Sequence, residues 1–296
     1  MLALDLFVNG LIFGLFYALM AVGLAMIFGV LKIVNFAHGE FYMVGSYTYV
    51  LVALKLGVPP WLALPTAAIA GAVLGWVVER TLMRPLYAGY ASWSILKDEY
   101  AVVVTFGLSL LLINLVDKVV GPYPYRGPSL IETSRFALGP VMLNGQKLIA
   151  AGVSLALLVG FAMFIKRSLW GRQIQAVAQN RLGASLAGID ATRTTSLIFS
   201  ISGLLAALSG ALLAPLINPS PDVGAFPAIK SYVIVVLGGM GSVWGAMIAS
   251  LLLGVLESFF AVYVSYDYRD AFGLLILILV LLFRPQGLIG EKGREL

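Results

Sequence analysis

The 296-residue chain has 60% hydrophobic and only 11% charged residues, with 19 Lys and Arg against 14 Asp and Glu, and its mean hydropathy is +0.98. Soluble domains carry roughly a quarter charged residues, so this composition describes an integral membrane protein. Apolar runs of about 20 residues exclude an outer-membrane barrel, and the absence of cysteine excludes disulfides and thiol chemistry.

In chain order, crossings are expected near 6–30, 36–55, 61–79, 100–117, 148–165, 195–217, 229–240, 243–263 and 268–284. The reading is an all-α, polytopic single domain over 1–296 with about nine membrane helices, within a range of eight to ten. The start, MLALDLFVNG, lacks the basic n-region of a cleavable signal, so the first segment is expected to stay as a span. With nine crossings, an outside N-terminus puts Arg80, Arg84, Lys97, Lys166, Arg167, Arg172, Arg181, Arg193 and Arg284 on the cytoplasmic side. The positive-inside rule therefore favours N-out and C-in, and the basic excess reports topology rather than affinity for nucleic acid.

The second span opens on VLKIVNFAHGEFYMVGSY, residues 30–47, which holds the chain's single histidine. An ionisable group at a helix centre costs about 2.5 to 3.5 kcal/mol, which marks Asn35, His38 and Glu40 as site candidates. Two readings stand. One is a capped, partly solvated helix entry with Glu40 in the first turn, favourable to the helix dipole. The other is a non-helical break lining the inner end of a pathway, where Gly39 permits close backbone approach. His38 has no second histidine or any cysteine with which to bind a metal, and no nucleophile accompanies it for acid-base catalysis.

Residues 118–147 contain four prolines and four glycines, which predicts an ordered external loop with turns and room for a short β-hairpin. Residues 166–194 are basic, free of proline and helically periodic. Ala176, Asn180, Gly183 and Ala187 recur there at spacings of four, three and four, so one helical face would be lined by small residues. A solvated amphipathic linker is the plainer alternative.

INPSPDVGAFPAIK, residues 217–230, has three prolines and interrupts helix continuity, as an external loop or as a discontinuous element paired with VNFAHGEF. The stretch 229–263 reads as one broken helix or as a tight hairpin at Gly238, Gly239 and Gly241. Within it, Glu257 is the most embedded carboxylate after Glu40. It is expected either in a wet helix interface, satisfied by Ser258 or a neighbouring helix, or in the pathway. Asn9, Asn114 and Asn218 are polar spots better explained by helix packing.

Read together, GVLKIVNFAHGEFYMVGSY, QAVAQNRLGASLAGI, SYVIVVLGGMGSVWGA and LLFRPQGLIG resemble, in order and spacing, the branched-chain amino acid ABC transporter permeases. The likeness is to the LivH-like subfamily, which includes urea and short-amide permeases, and it covers nearly the whole chain. It implies one transmembrane subunit of a bacterial inner-membrane importer. Its implied partners are a second homologous permease, two cytoplasmic ATPases that carry ATP-Mg, and a periplasmic solute-binding protein. It also implies that the 171–190 helix is a coupling helix seated in an ATPase cleft, with Arg172, Ala176, Asn180, Gly183, Ala187 and Gly188 as contacts. The motif departs from the importer-permease pattern in lacking its leading Glu-Ala-Ala glutamate.

The sequence contains no G-x-x-x-x-G-K-[ST] motif, so ATP-driven work falls to other chains and this chain needs no cofactor of its own. The leading expectation is a non-enzymatic permease for amino acids, most of all branched-chain ones. The substrate pathway is expected to use Asn35, His38, Gly39, Glu40 and Glu257, with few buried charges. A urea or short-amide ABC permease, an ion-coupled secondary transporter and a passive channel are the alternatives.

Overall fold

A computed structural model describes residues 2–88, 97–131, 135–138 and 141–289. Helix α1 (Leu2–Leu31) is followed by α2 (His38–Lys55) and by α3 (Pro60–Val78), which continues through a π-helical turn, Glu79–Met83, into α4 (Arg84–Ala88). Helix α5 (Lys97–Val120) precedes an antiparallel hairpin of β1 (Arg135–Leu138) and β2 (Val141–Asn144). Next come α6 (Gly145–Arg167), α7 (Leu169–Gln179), α8 (Arg181–Leu186) and α9 (Ala191–Leu213). The chain closes with α10 (Ala225–Gly238), α11 (Val243–Tyr263) and α12 (Arg269–Phe283).

Among the described residues, 6 helices are long and apolar enough to cross a membrane: α1, α3 with its extension to Tyr87, α5, α6, α9 and α11. The remaining expected spans are shorter or more polar helices. At 229–263 the chain forms two helices joined by a tight turn, in which Gly239 and Gly241 take φ of 104° and 87°. These are left-handed values that glycine adopts without steric cost. Among the described residues the fold is helical apart from the hairpin, which lies in the Pro- and Gly-rich 118–147 stretch.

Helix α1 is the central post. Its Gly10 and Gly14 lie so close to α11 that an added Cβ would stand 2.6 Å from the Val255 Cα and 2.8 Å from the Leu251 Cα. Gly71 and Gly75 of α3 meet α9 in the same way, with a Cβ 2.3 Å from the Gly203 carbonyl and 2.1 Å from that of Phe199. Both pairs are G-x-x-x-G spacings. In lipid, where burying apolar surface gives no net drive, such spacing lets backbones approach and gain dispersion contacts. These glycines therefore fix α1, α3, α9 and α11 as a packed block. Helix α5 is far more exposed, with Val103 and Leu111 turned outward.

The bundle has two recognisable ends. One carries the hairpin and the N-terminus of α1; the other carries α7, α8 and the C-terminus of α1. At the latter end Lys97 donates to the Leu31 carbonyl at 2.5 Å, capping the last turn of α1 with a cation where the dipole favours one. The segment after α12 also closes this end, where Leu288 N donates to the Leu237 carbonyl at 2.8 Å.

Candidate functional site

After Leu31 the chain turns at Lys32, whose φ is 55°, and runs back without helix to residue 37 before α2 begins. His38 Nε2 lies 3.0 Å from the Met20 carbonyl, about three turns of α1 above its end. Helix α2 therefore starts deep inside the bundle rather than at its surface. The turn is built locally: Asn35 Oδ1 accepts from Ala37 N at 3.2 Å, and the Asn35 carbonyl accepts from His38 N at 3.1 Å. The side chain thereby offers the backbone an alternative to continued helix.

Helix α10 starts against the same point. An added Cβ at Gly224 would stand 2.1 Å from the Gly39 carbonyl, and one at Gly39 2.6 Å from the Gly224 carbonyl. Only glycines permit this contact. Helix α10 then runs beside the 32–37 segment, with Tyr232 donating to the Asn35 carbonyl at 2.5 Å and its ring 5.8 Å from that of Phe36. Two half-helices thus begin at one depth and leave in opposite directions, α2 toward the hairpin end and α10 toward the α7–α8 end. Non-helical backbone at such depth is tolerated where protein buries it or where it lines a cavity.

A cavity of about 550 Å³ opens above this junction. Its apolar wall is Phe13, Phe16 and Met20 of α1 with Leu213, Ile217, Val223 and Phe226, and its polar groups include Tyr17, Tyr42, Ser209, Asn218 and Ser231. Charge enters through Lys230 of α10, which is buried and paired with Glu257 of α11. Its ammonium also lies 2.9 Å from Asp270 at the start of α12. Arg269, Asp222 and Asp267 line the same cavity.

The residues singled out from sequence divide. Asn35, His38 and Gly39 do not line the cavity. They sit in the packed junction, where His38 bonds the carbonyl of the lining residue Met20, and Asn35 and His38 are fully buried, so the partly solvated helix entry is incorrect. Asn35 Nδ2 and His38 Nδ1 have no protein partner there. Glu40 is buried too, but it faces α5, accepting from Ser109 at 2.8 Å with its Oε2 unpartnered. It does not line the cavity. Glu257 reaches the site through Lys230; Ser258 is not its partner and donates instead to the Leu6 carbonyl at 2.8 Å. Asn9 and Asn114 donate to carbonyls of their own helices, while Asn218 lines the cavity.

Lys230 is the residue that sequence reasoning missed. The helix was expected from 229, which leaves Lys230 at a membrane edge, yet it begins at Ala225 because Pro227 falls in the first turn, where no backbone N–H is required. A lysine followed by an intramembrane Glu257 was the available signal. The expected scarcity of buried charges fails with it. Glu79, also overlooked, is fully buried at the π-helical turn, accepting from Ser196 at 2.5 Å, from Arg84 at 3.3 Å and from the Tyr87 hydroxyl.

The 166–194 loop differs from a single helix. Helix α7 stops at Asn180, whose extended backbone (φ −151°, ψ 104°) starts α8 by accepting from Gly183 N at 2.8 Å. An N-cap asparagine thus breaks the periodicity that the small residues suggested. Ala176 turns inward with Val177, Ala184 and Val30, while Arg172, Asn180, Gly183, Ala187 and Gly188 are exposed. Leu182 and Leu186 flank them at 72% and 83% exposure. Arg181 stacks 4.1 Å over the Tyr87 ring, tying α8 to the helix end that Glu79 anchors. Burial lowers the pKa of Arg181, and Glu79 opposes that shift.

Residues 6–281 match the family model described as branched-chain amino acid transport system / permease component. The chain is 33% identical to the high-affinity branched-chain amino acid permease protein LivH of Salmonella typhimurium, over 97% of this chain and 95% of that protein. It is 34% identical to BraD of Pseudomonas aeruginosa, over 97% and 96%, and 27% identical to LivM of Escherichia coli, over 92% and 67%. No solved structure matches. The chain belongs to the branched-chain amino acid transport permease family.

Proposed function

We propose that this family member is the transmembrane permease subunit of an ATP-driven importer for branched-chain amino acids, itself without enzymatic activity. The observation that carries the mechanism is the junction of two half-helices, α2 and α10, where Gly39 and Gly224 meet beside a cavity lined by Met20, Val223 and Phe226. Solute released into the cavity passes when α2 and α10 part. The unpartnered amide of Asn35 and ring nitrogen of His38 then offer hydrogen bonds in transit, since buried polar groups without partners are costly. Glu257 acts through Lys230, and Glu40 holds α5 on α2.

Nine crossings, with α2, α10 and α12 counted beside the six long helices, fit an N-terminus outside and a C-terminus inside a bacterial inner membrane. Support comes from Arg84, Lys97, Arg181 and Arg193, which gather at the α7–α8 end. Alternating access is driven there by two ATPases that bind ATP-Mg, while a second permease lies alongside and a periplasmic binding protein delivers solute at the hairpin end. That this family includes both LivH and LivM proteins supports a heterologous permease pair. Helix α8, with Asn180, Gly183, Ala187 and Gly188 exposed between Leu182 and Leu186, is the coupling element. Arg172 supplies a charged rim, and Ala176 a packed base.

Docking is tested with Gly183→Trp and Gln179→Trp in the complete importer. Overpacking a fitted contact costs about 1 to 3 kcal/mol, so the Gly183 variant is expected to insert normally yet lose ATPase co-purification and solute-stimulated hydrolysis, with Gln179→Trp milder. Unchanged association for Gly183→Trp would remove α8 as the coupling element. Orientation is tested by cysteines at Arg126 and Arg181, which are expected to label from opposite sides.

A further inference from the structure

The two carboxylates that hold Lys230 differ in their freedom. The side chains of Lys230 and Glu257 are 7% and 3% exposed, whereas that of Asp270 is 42% exposed. Glu257 is confined, since even a Cβ on Gly273 would stand 2.8 Å from its Oε1. Asp270 sits in the first turn of α12 at the cavity mouth and can turn toward water. One anionic partner of Lys230 can therefore be exchanged while the other keeps the ammonium neutralised.

We propose that the cavity is a binding site for zwitterionic amino acids, in which a free amino acid inserts between Lys230 and Asp270. Its carboxylate takes the Lys230 ammonium and its own ammonium takes Asp270. The inference rests on the importer reading above and adds a dwelling place for solute inside the permease itself. The exchange conserves charge: one ion pair becomes two in series, and no buried ion loses its partner, the condition under which buried charge is tolerated. A solute with one charge engages only one of the two and leaves the other to its remaining partner, Glu257 for Lys230 or the more distant Arg269, at 3.8 Å, for Asp270. A neutral amide separates them while supplying only dipoles. The apolar wall of Phe13, Phe16, Leu213 and Val223 receives an aliphatic side chain, and a volume of about 550 Å³ lies within the ordinary range of small-molecule sites.

The test uses the assembled importer in lipid nanodiscs with the binding protein left out, so that only membrane-domain binding is read. Tritiated L-leucine is titrated and then competed with L-isoleucine, 4-methylpentanoate, leucinamide and urea. The expected result is saturable binding displaced by isoleucine and not by the other three. Binding should be about tenfold weaker in Asp270→Asn, as loss of a charged partner implies, and absent in Val223→Trp, which fills the cavity. Both variants are first shown to co-purify with the ATPases, so a folding failure is not scored as loss of binding. Absence of saturable binding by the parent, displacement by urea or leucinamide as effective as by isoleucine, or parental affinity in Asp270→Asn would overturn the site. Uptake of L-leucine into proteoliposomes by the complete importer separates the two readings. ATP-driven uptake without cavity binding overturns the site alone, whereas no ATP-driven amino-acid uptake overturns the importer reading.

Discussion

Helices α2 and α10 begin against each other, yet their buried charges are held in different ways. Glu40 of α2 sits in a polar-looking sequence and has one protein partner, Ser109, through a single oxygen. Lys230 of α10 sits in an apolar sequence and is clasped by Glu257 and Asp270 across three helices. The conspicuous motif therefore marks a packed junction, and the inconspicuous lysine marks the electrostatic centre of the cavity. Burial cost explains the contrast: a lone carboxyl can be neutralised by taking a proton, whereas a buried ammonium is stabilised as an ion while a carboxylate partner stays within reach.

The largest effect that would break this comparison is expected at Lys230. Lys230→Met leaves Glu257 buried and uncompensated, a loss of about 3 to 5 kcal/mol, and should lower thermal stability in detergent and abolish uptake. The double change Lys230→Met with Glu257→Gln should recover most of the stability but not the transport. Equal stability of the single and double variants would mean that the pair contributes nothing as a pair.

Next in size is the contact that both half-helices share. A Cβ at Gly224 meets the Gly39 carbonyl at 2.1 Å, so Gly224→Val should force α2 and α10 apart at a cost of about 1 to 3 kcal/mol. Uptake is expected to fall more than abundance in the membrane does. Parental uptake would show that the two helix starts need not touch.

Smaller effects sharpen the contrast further. Asn180→Ala removes the N-cap of α8, worth about 1 kcal/mol, and should weaken ATPase co-purification without altering L-leucine binding, since α8 lies at the far end of the bundle from the cavity. Glu40→Gln keeps an acceptor for Ser109 and removes only a weakly supported charge. Its cost should stay below about 1 kcal/mol, read as a thermal shift well short of that for Lys230→Met. A shift as large as the lysine variant's would place the electrostatic centre at α2 instead.

Hydropathy runs and their punctuation determine the helices of this protein, because in a membrane each crossing must satisfy its own backbone and every long apolar run therefore declares itself. Interruptions near Gly239 and Gly241, between α9 and α10 and at VNFAHG are legible for the same reason, since Pro, Gly and Asn change what the local backbone can do. The sequence left open a tight turn or a broken helix at the first and a capped entry or a non-helical break at the last. Depth and partnership are not local. That Gly39 meets Gly224 and that Glu40 turns to α5 while Lys230 finds Glu257 depend on contacts between residues distant in sequence. The tertiary structure alone decides these, because the cost of a buried charge depends on which groups the fold brings within reach of it.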